Sequence, residues 1–339
     1  MLLSRRMTLT GESNAESVNT GGRGVSTEVY AFARFVQYEH GSFHCLMAAL
    51  VVVLCIVLAV LFRLENISVV NLHLIGFTLQ CAMPIVAVAV YCHWAKYTWL
   101  REGCWMVLWG CIFLNLLQLP QYAAARVQSP LRDAALVRID GFLGIDVGSI
   151  VSFVHRHPAF EAFSQRSYGL LMWIVFAAIL VPALGGKLTR AKEYLLATIM
   201  TALLASCALA VFPAVGPWAG YHFHSYWNQA WYVRELNALR SPGLFVANPD
   251  YTCGLITFPS FHVALAFLGV FALWPFRWIR PFALLAAALI AMATMTTGWH
   301  YACDGIAGIL AAVLGVATAR WVLRTLSAHR HERLASMLQ

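Results

Sequence analysis

Residues 258–304 read FPSFHVALAFLGVFALWPFRWIRPFALLAAALIAMATMTTGWHYACD, and this stretch decides the fold of the chain. It contains two apolar runs that are separated by the proline-bounded turn 275–281. A hairpin of two antiparallel membrane helices returns the chain to the face that it left, so we expect His262 and His300 to meet. A pair of histidines, one of them followed four residues later by Asp304, is sufficient for nucleophilic and acid–base chemistry.

The composition is that of a membrane protein. Of the 339 residues, 60% are hydrophobic and 11% are charged, and the mean hydropathy is +0.70. These values lie outside the range of soluble globular domains. A spanning helix needs about 20 apolar residues, and eight runs meet or approach that length: 43–62, 72–94, 104–119, 168–184, 194–212, 262–274, 282–297 and 305–322. The sequence therefore predicts an all-α polytopic membrane protein with about eight transmembrane helices, of which 262–274 and 282–297 are short.

Polar ends flank the apolar runs. We expect a mobile polar tail at 1–41 and a basic cytoplasmic tail at 324–339. Residues 121–166 mix charged and apolar side chains at spacings near three and four, which predicts one or two amphipathic helices at the membrane interface. Residues 241–256 contain two prolines and two glycines, and they predict a loop.

The basic residues predict the orientation. If both termini lie on one side of the membrane, that side collects 15 of the 23 lysines and arginines. By the positive-inside rule the termini are then cytoplasmic, and His262 and His300 face the external side. The formal net charge of +8 comes without a basic–aromatic platform, so we attribute it to orientation and headgroup attraction and expect no nucleic-acid partner.

Each of the two motifs has a chemical and a structural interpretation. On a helix, His300 and Asp304 share one face, so the carboxylate can accept a hydrogen bond from one ring nitrogen and direct the other outward as a nucleophile. The alternative is a buried histidine satisfied by a nearby acid. Ser260 and the free N–H groups of the helix that begins after Pro259 form an anion site, with His262 beside the leaving oxygen of a bound phosphate. The alternative is a capped helix start that carries an interfacial histidine.

The paired motifs resemble those of the type 2 phosphatidic acid phosphatase superfamily. PSFH at 259–262 is similar to its Pro-Ser-Gly-His motif, and His300 with Asp304 is similar to the histidine and aspartate of its last motif. The sequence looks most like the branch that includes fungal inositol phosphorylceramide synthases, to which DGFLGID at 140–146 and PAVGPW at 213–218 also bear a resemblance. The resemblance covers residues 103–322. It implies a six-helix catalytic core at 103–323, preceded by two extra transmembrane helices at 42–102.

The resemblance implies metal-independent phosphoryl transfer without a cofactor, on a phospholipid or lipid phosphate. His300 would attack phosphorus to form a phosphohistidine, Asp304 would orient and stabilise it, and His262 would protonate the departing oxygen. The branch favours headgroup transfer, with hydrolysis by water as the alternative. In place of the Ser-Arg of the last motif this sequence has Ala293 and Thr294, so we nominate Arg240 as the phosphate clamp, with an ordinary headgroup contact as its alternative.

Other polar residues lack a ligand pattern for a metal. Asp140 and Asp146 are six residues apart and fall on different helical faces, so we expect an interfacial structural role rather than a paired-carboxylate site. His222 and His224 have no third ligand at a suitable spacing, which leaves a metal site there as the lesser alternative.

Two cysteines flank the motifs, and their pairing is open. Cys253 and Cys303 lie at the same predicted external face, where an oxidising compartment would permit a disulfide. The alternative is two unrelated buried thiols, because the other seven cysteines lie in or beside apolar runs.

A non-catalytic transporter or scaffold is the competing function. In such a protein the histidines would line an ion path, which needs polar residues at several depths of the same helices. The apolar runs after His262 and before His300 are almost bare of polar residues. Polar groups confined to one end of the helices favour an active site that is reached from the membrane surface.

Overall fold

The computed structural model of the protein describes residues 21–69, 72–223, 227–247 and 254–337. Within these ranges the chain forms thirteen helices: α1 (Gly21–Leu64), α2 (Leu72–Trp94), α3 (Thr98–Leu116), α4 (Pro120–Arg126), α5 (Asp133–Phe142), α6 (Val147–His155), α7 (Pro158–Leu184), α8 (Leu188–Val211), α9 (Pro217–Gly220), α10 (Trp227–Arg240), α11 (Phe261–Leu273), α12 (Arg280–Thr296) and α13 (Ala302–Met337). Two short strands, β1 (Ile67–Val69) and β2 (Phe245–Ala247), pair in parallel with Ile67 opposite Phe245. The chain comprises two compact units, Met1–Cys45 and Leu46–Gln339, and the site lies in the second.

The helices confirm the predicted class of an all-α polytopic membrane protein. In the part of the chain that the structure describes, five segments are long and apolar enough to cross a membrane: Ser42–Leu64, Thr98–Arg126, Pro158–Leu184, Leu188–Val211 and Ala302–Ala328. Three shorter apolar segments are Ile85–Trp94, which is the C-terminal part of the 23-residue α2, and the helices Phe261–Leu273 and Arg280–Thr296. These eight segments correspond to the eight apolar runs, with α11 and α12 as the two short ones.

Several boundaries differ from the expectations. Helix α1 begins at Gly21, inside the expected N-terminal tail, whose first twenty residues lie outside the described ones. Helix α13 extends beyond the apolar run to Met337, because no proline or glycine follows Gly315 to interrupt it. The expected interfacial segment forms α5 and α6, and its ends belong to α4 and α7. The expected loop at 241–256 includes β2. This strand pairs with β1, which lies far away in the chain, so no local sequence pattern predicts the pairing.

Helix α11 is the short central helix of the bundle. It contacts α7, α8, α12 and α13, and most of its residues are buried. Its sequence is apolar on every face, which is the pattern of a helix surrounded by others. Helix α11 therefore fixes its first residues, Ser260 and His262, relative to α7 and α13.

Glycines allow α13 to approach its neighbours closely. A Cβ atom on Gly308 would collide with the carbonyl oxygen of Ser260, and one on Gly315 would collide with the hydroxyl of Thr201 on α8. Small residues at helix interfaces let backbones come close where no water can fill a gap. The backbone N–H of Ser260 also donates to the carbonyl of Asp304 at 2.9 Å, so the starts of α11 and α13 are joined directly.

We predict that Gly308→Ala separates these two helix starts. The added methyl meets backbone rather than a flexible side chain, so we expect a loss of about 1–3 kcal/mol in stability and a lower unfolding temperature in detergent. Gly305→Ala is the matched control, because a Cβ there meets Val263 at an ordinary 3.8 Å. Equal unfolding temperatures for the two variants would contradict the close approach.

Candidate active site

A tight turn after α12 positions His300. The helix ends with Thr297 as its C-cap, and Gly298 follows with a φ of +72°. The N–H of Gly298 donates to Met295 O at 2.9 Å, and the N–H of Trp299 donates to Thr294 O at 3.1 Å. This is the Schellman pattern, in which a glycine takes the left-handed conformation and satisfies the last carbonyls of the helix. The turn brings the chain from α12 to His300 within a few residues.

Two carboxylates accept hydrogen bonds from the backbone N–H groups at the start of α13. Oδ2 of Asp304 accepts from the N–H of Tyr301 at 2.8 Å, the return contact of a capping box. The carboxylate of Asp140 on α5 accepts from the N–H groups of Ala302 and Cys303, at 2.9 Å each. Asp140 and Asp304 are fully buried. The free donors of the first turn are thereby paired without water.

The Nδ1 atom of His300 is held from two sides. It lies 2.8 Å from the carbonyl oxygen of Thr257 and 3.4 Å from Oδ2 of Asp304. Since a carbonyl only accepts, Nδ1 carries the proton that it donates to Thr257, and the Nε2 atom keeps its lone pair. The shorter contact is with Thr257, so that carbonyl orients the ring and Asp304 stands beside it as a nearby charge.

Burial keeps His300 neutral. Its side chain is 3% exposed, and burial lowers the pKa of His300 to about 4, although the hydrogen bond to Thr257 acts in the opposite direction. The ring is therefore uncharged at neutral pH, and the lone pair of Nε2 is available to an electrophile.

Thr257 is itself fixed by the loops around it. Its hydroxyl donates to Ala214 O at 3.0 Å, and the hydroxyl of Tyr232 on α10 lies 3.2 Å from it. Tyr232 also contacts Ala214 O at 3.0 Å and Leu255 O at 3.2 Å. The carbonyl that orients His300 is thus held in place by the PAVGPW turn and by α10.

His262 lies beside His300, as the hairpin predicts. The two ring centroids are 5.7 Å apart, with 57° between the ring planes. The hydroxyl of Tyr168 on α7 lies 2.7 Å from Nε2 of His262, and the two rings are 4.7 Å apart. The sequence reasoning missed Tyr168, because a single tyrosine 94 residues earlier in the chain, in an apolar helix, has no motif around it.

Ser260 caps the start of α11. Its Oγ accepts from the N–H of Val263 at 3.4 Å, and the residue is fully buried. It is therefore next to the histidine pair in a position that supports the first turn of the helix. The structure therefore shows the capped helix start, and the anion site at Ser260 stays a prediction.

Arg240 contacts a different loop. Its Nη2 donates to Ser129 O at 2.7 Å, and its buried Nη1 has no partner among the described residues. Its role as a phosphate clamp stays a prediction. Ala293 and Thr294, which occupy the positions of the family's usual clamp, are buried near the end of α12, where the carbonyl of Thr294 accepts from the N–H of His300.

The acidic residues near the site have separate structural roles. Asp146 is exposed and caps α6 through Ser149, whereas Asp140 caps α13 from inside the protein. The expected structural role therefore holds for both, but Asp140 is fully buried rather than interfacial, since its carboxylate pairs with the start of α13.

Asp133 was missed in the sequence. Its carboxylate accepts from the N–H groups of Val215 and Gly216 at 3.0 and 2.8 Å and from the hydroxyl of Tyr301 at 2.9 Å.

The remaining sequence candidates fall partly outside the described residues. Cys253 and His224 lie there, so a Cys253–Cys303 disulfide stays a prediction. Cys303 is buried, and its Sγ contacts Leu136 O at 3.8 Å. His222 is exposed with a φ of +57°. In the described part of the chain, no group of three or more His, Cys, Asp or Glu residues is arranged to hold a metal ion.

Comparison with known proteins identifies a family. A model described as the PAP2 superfamily matches residues 134–318, more than half of the chain. The matched region contains Asp140, Arg240, His262, His300 and Asp304. No curated protein and no solved structure matches the chain.

We predict that Asp140→Ala uncouples α13 from α5. It leaves two buried N–H groups unpaired, each at a cost of about 1–3 kcal/mol, and it frees the turn that carries His300. We expect a lower unfolding temperature together with loss of activity. The matched control is Asp146→Ala, which removes an exposed cap worth about 1 kcal/mol. Equal effects of the two variants on activity would show that the buried cap does not position the site.

Proposed function

The chain belongs to the PAP2 superfamily, and from that premise we propose that it is a membrane enzyme that transfers a phospho-headgroup from a phospholipid through a phosphohistidine. Membership of the family supports a function of the lipid phosphatase or phosphotransferase type. The single observation that carries the proposal further is the histidine pair, in which Nδ1 of His300 donates to the Thr257 carbonyl, Nε2 keeps its lone pair, and the ring of His262 lies 5.7 Å away.

The first step makes a covalent intermediate. Nε2 of His300 attacks phosphorus, the N–P bond forms, and the bond from phosphorus to the lipid oxygen breaks. His262 gives its proton to that oxygen, so the lipid leaves as an alcohol. The phosphorylated ring of His300 gains positive charge, and the carboxylate of Asp304 at 3.4 Å opposes it.

The second step reverses the roles. His262, now without its proton, takes a proton from the acceptor hydroxyl, and the acceptor oxygen attacks phosphorus while the N–P bond breaks. The same residues serve whether the acceptor is water or another alcohol, so hydrolase and transferase share one mechanism. The likeness of 140–146 and 213–218 to the inositolphosphotransferase branch supports transfer.

The phosphate must be held while this occurs. Ser260 and the first turn of α11 supply N–H groups and the positive end of a helix dipole next to His262. Arg240 is our candidate for the clamp, with its free Nη1 as the donor. No step requires a metal or an organic cofactor. The distribution of basic residues supports an external location of this end of the bundle, with both termini in the cytoplasm.

We predict that His300→Ala and His262→Ala each abolish turnover. Loss of the nucleophile should lower kcat on the order of 10³-fold or more, and loss of the general acid roughly 10²–10⁴-fold. The assay uses purified protein in buffer with EDTA, candidate phospholipids and lipid phosphates, and acceptors such as inositol, diacylglycerol or ceramide. Free phosphate and transferred headgroup are then separated.

The control for these variants is His157→Ala, since His157 is exposed in the turn before α7 and its ring nitrogen Nδ1 contacts the backbone carbonyl of Phe153. Activity within a few-fold of the parent in either histidine variant would overturn the mechanism. Loss of activity in EDTA, restored by one divalent ion, would contradict metal independence. Release of the free phospho-headgroup from a phospholipid, or of free phosphate from a lipid phosphate, with every acceptor would establish the hydrolase instead.

We predict that Tyr168→Phe lowers kcat about two- to tenfold and leaves KM unchanged. The hydroxyl of Tyr168 contacts Nε2 of His262, so Nδ1 is the ring nitrogen that can exchange a proton with the substrate. The substitution removes one hydrogen bond, which is worth about 0.5–1.5 kcal/mol. Tyr194→Phe removes a buried hydroxyl from α8 as a control. A change in unfolding temperature without a change in kcat would make Tyr168 a packing residue only.

A further inference from the structure

A groove on the membrane-facing side of the bundle has no part in the mechanism above. It has a volume of about 620 Å³ and runs along α11 from Val263 to Trp274, between α12 and α13. Its walls are made of alanine, valine, leucine, isoleucine and phenylalanine side chains. Its size lies within the range of about 300–1,000 Å³ that is usual for small-molecule pockets, and its apolar lining suits a hydrocarbon chain.

One end of this groove is basic. Arg190 near the start of α8 and Arg320 on α13 both line it. The guanidinium carbons lie 4.8 and 4.9 Å from the ring centroid of Phe271. Glu193 stands between them, with one oxygen 3.3 Å from Nη1 of Arg190 and the other 3.4 Å from Nε of Arg320.

The charges at this end do not balance. Two guanidinium groups share one carboxylate, which leaves one positive charge in excess. Each arginine has five N–H donors, and Glu193 occupies one on each side. The planar fork of arginine matches the oxygens of a phosphate. Trp274, whose ring lies 4.2 Å from the guanidinium carbon of Arg280, adds an aromatic group and a further cation to the rim.

This basic end is far from the histidine pair. Asp304 and Arg320 lie on the same helix, sixteen residues apart, which corresponds to roughly 24 Å along the axis. A phosphate on Arg190 and Arg320 therefore cannot also contact His300. By the positive-inside distribution this end lies at the cytoplasmic leaflet, where anionic lipids attract basic residues between helices.

We propose that this groove binds a second phospholipid that is not the substrate. Its anionic headgroup phosphate pairs with Arg190 and Arg320, and an acyl chain lies along α11 towards Val263. The headgroup phosphate links α8 to α13, because it neutralises the excess positive charge of the two arginines around Glu193. The site is specific for an anionic headgroup that carries a hydrocarbon chain, and it works independently of turnover.

The test measures lipid binding to the full chain in detergent. His300→Ala serves as the background, so that no added lipid is consumed, and native mass spectrometry and unfolding temperature are recorded with phosphatidylglycerol or with phosphatidylcholine of the same chains. We expect phosphatidylglycerol to stay bound and to raise the unfolding temperature. The pair Arg190→Gln/Arg320→Gln should weaken its binding roughly 30-fold.

Three further variants separate the parts of the site. Lys187→Gln/Arg277→Gln removes the same charge from exposed positions at the same end and should leave binding unchanged. Glu193→Gln should bind phosphatidylglycerol more tightly, because it removes the competing carboxylate, whereas a purely structural cluster would only lose stability. Ala288→Phe should fill the groove and exclude the chain.

Four outcomes would overturn the proposal. They are equal binding of the two lipids, equal loss in the Lys187/Arg277 control, full binding in the Arg190/Arg320 variant, and equal protection by inorganic phosphate alone. Binding that is lost in Ala288→Phe but kept in the arginine variant would place the headgroup elsewhere and would also refute it. None of these results depends on whether His300 forms a phosphohistidine.

Discussion

The first turn of α13 must satisfy its backbone N–H groups without water, and the site is built around that requirement. In an apolar environment each unpaired donor is costly, so a helix that begins inside the protein needs acceptors from elsewhere. Asp140 supplies two of them from α5, and Asp304 supplies one from within the turn. Two negative groups at the positive end of the helix dipole also stabilise the helix itself.

This cap determines which loops surround the histidines. Asp133, two turns before Asp140 on α5, binds the N–H groups of Val215 and Gly216, so the helix that caps α13 also holds the PAVGPW turn. That turn offers Ala214 O to Thr257, and Thr257 offers its own carbonyl to His300. The orientation of His300 therefore depends on a chain of contacts that begins at the buried start of a helix.

The sequence predicts the parts of this arrangement that are local. Apolar runs mark the helices, because spanning a membrane constrains composition directly, and the hairpin geometry brings His262 and His300 together. The contacts that hold the site are between residues far apart in the chain: Tyr168 with His262, Asp140 with α13, Thr257 with His300. A buried carboxylate that caps a remote helix has the same local pattern as one at an interface, so its partner appears only in the folded chain. Strands of three residues, such as β1 and β2, are below what periodicity can detect.

The position of Asp304 is suited to stabilising a positive charge that forms on His300 during the proposed reaction. One of its oxygens caps Tyr301, and the other, Oδ1, is buried without a hydrogen-bond partner among the described residues. A neutral His300 already has Thr257 as its acceptor, so a negative charge on Asp304 would be poorly compensated in the resting state. In the proposed mechanism the ring becomes positive on phosphorylation, and the same carboxylate then gains a countercharge that it lacked before. An interaction that strengthens only as charge develops lowers the barrier rather than the ground state, which is the condition for catalysis. Under the proposed mechanism the choice between water and another alcohol depends on which acceptor reaches the phosphorus on Nε2 of His300, a side chain that is 3% exposed.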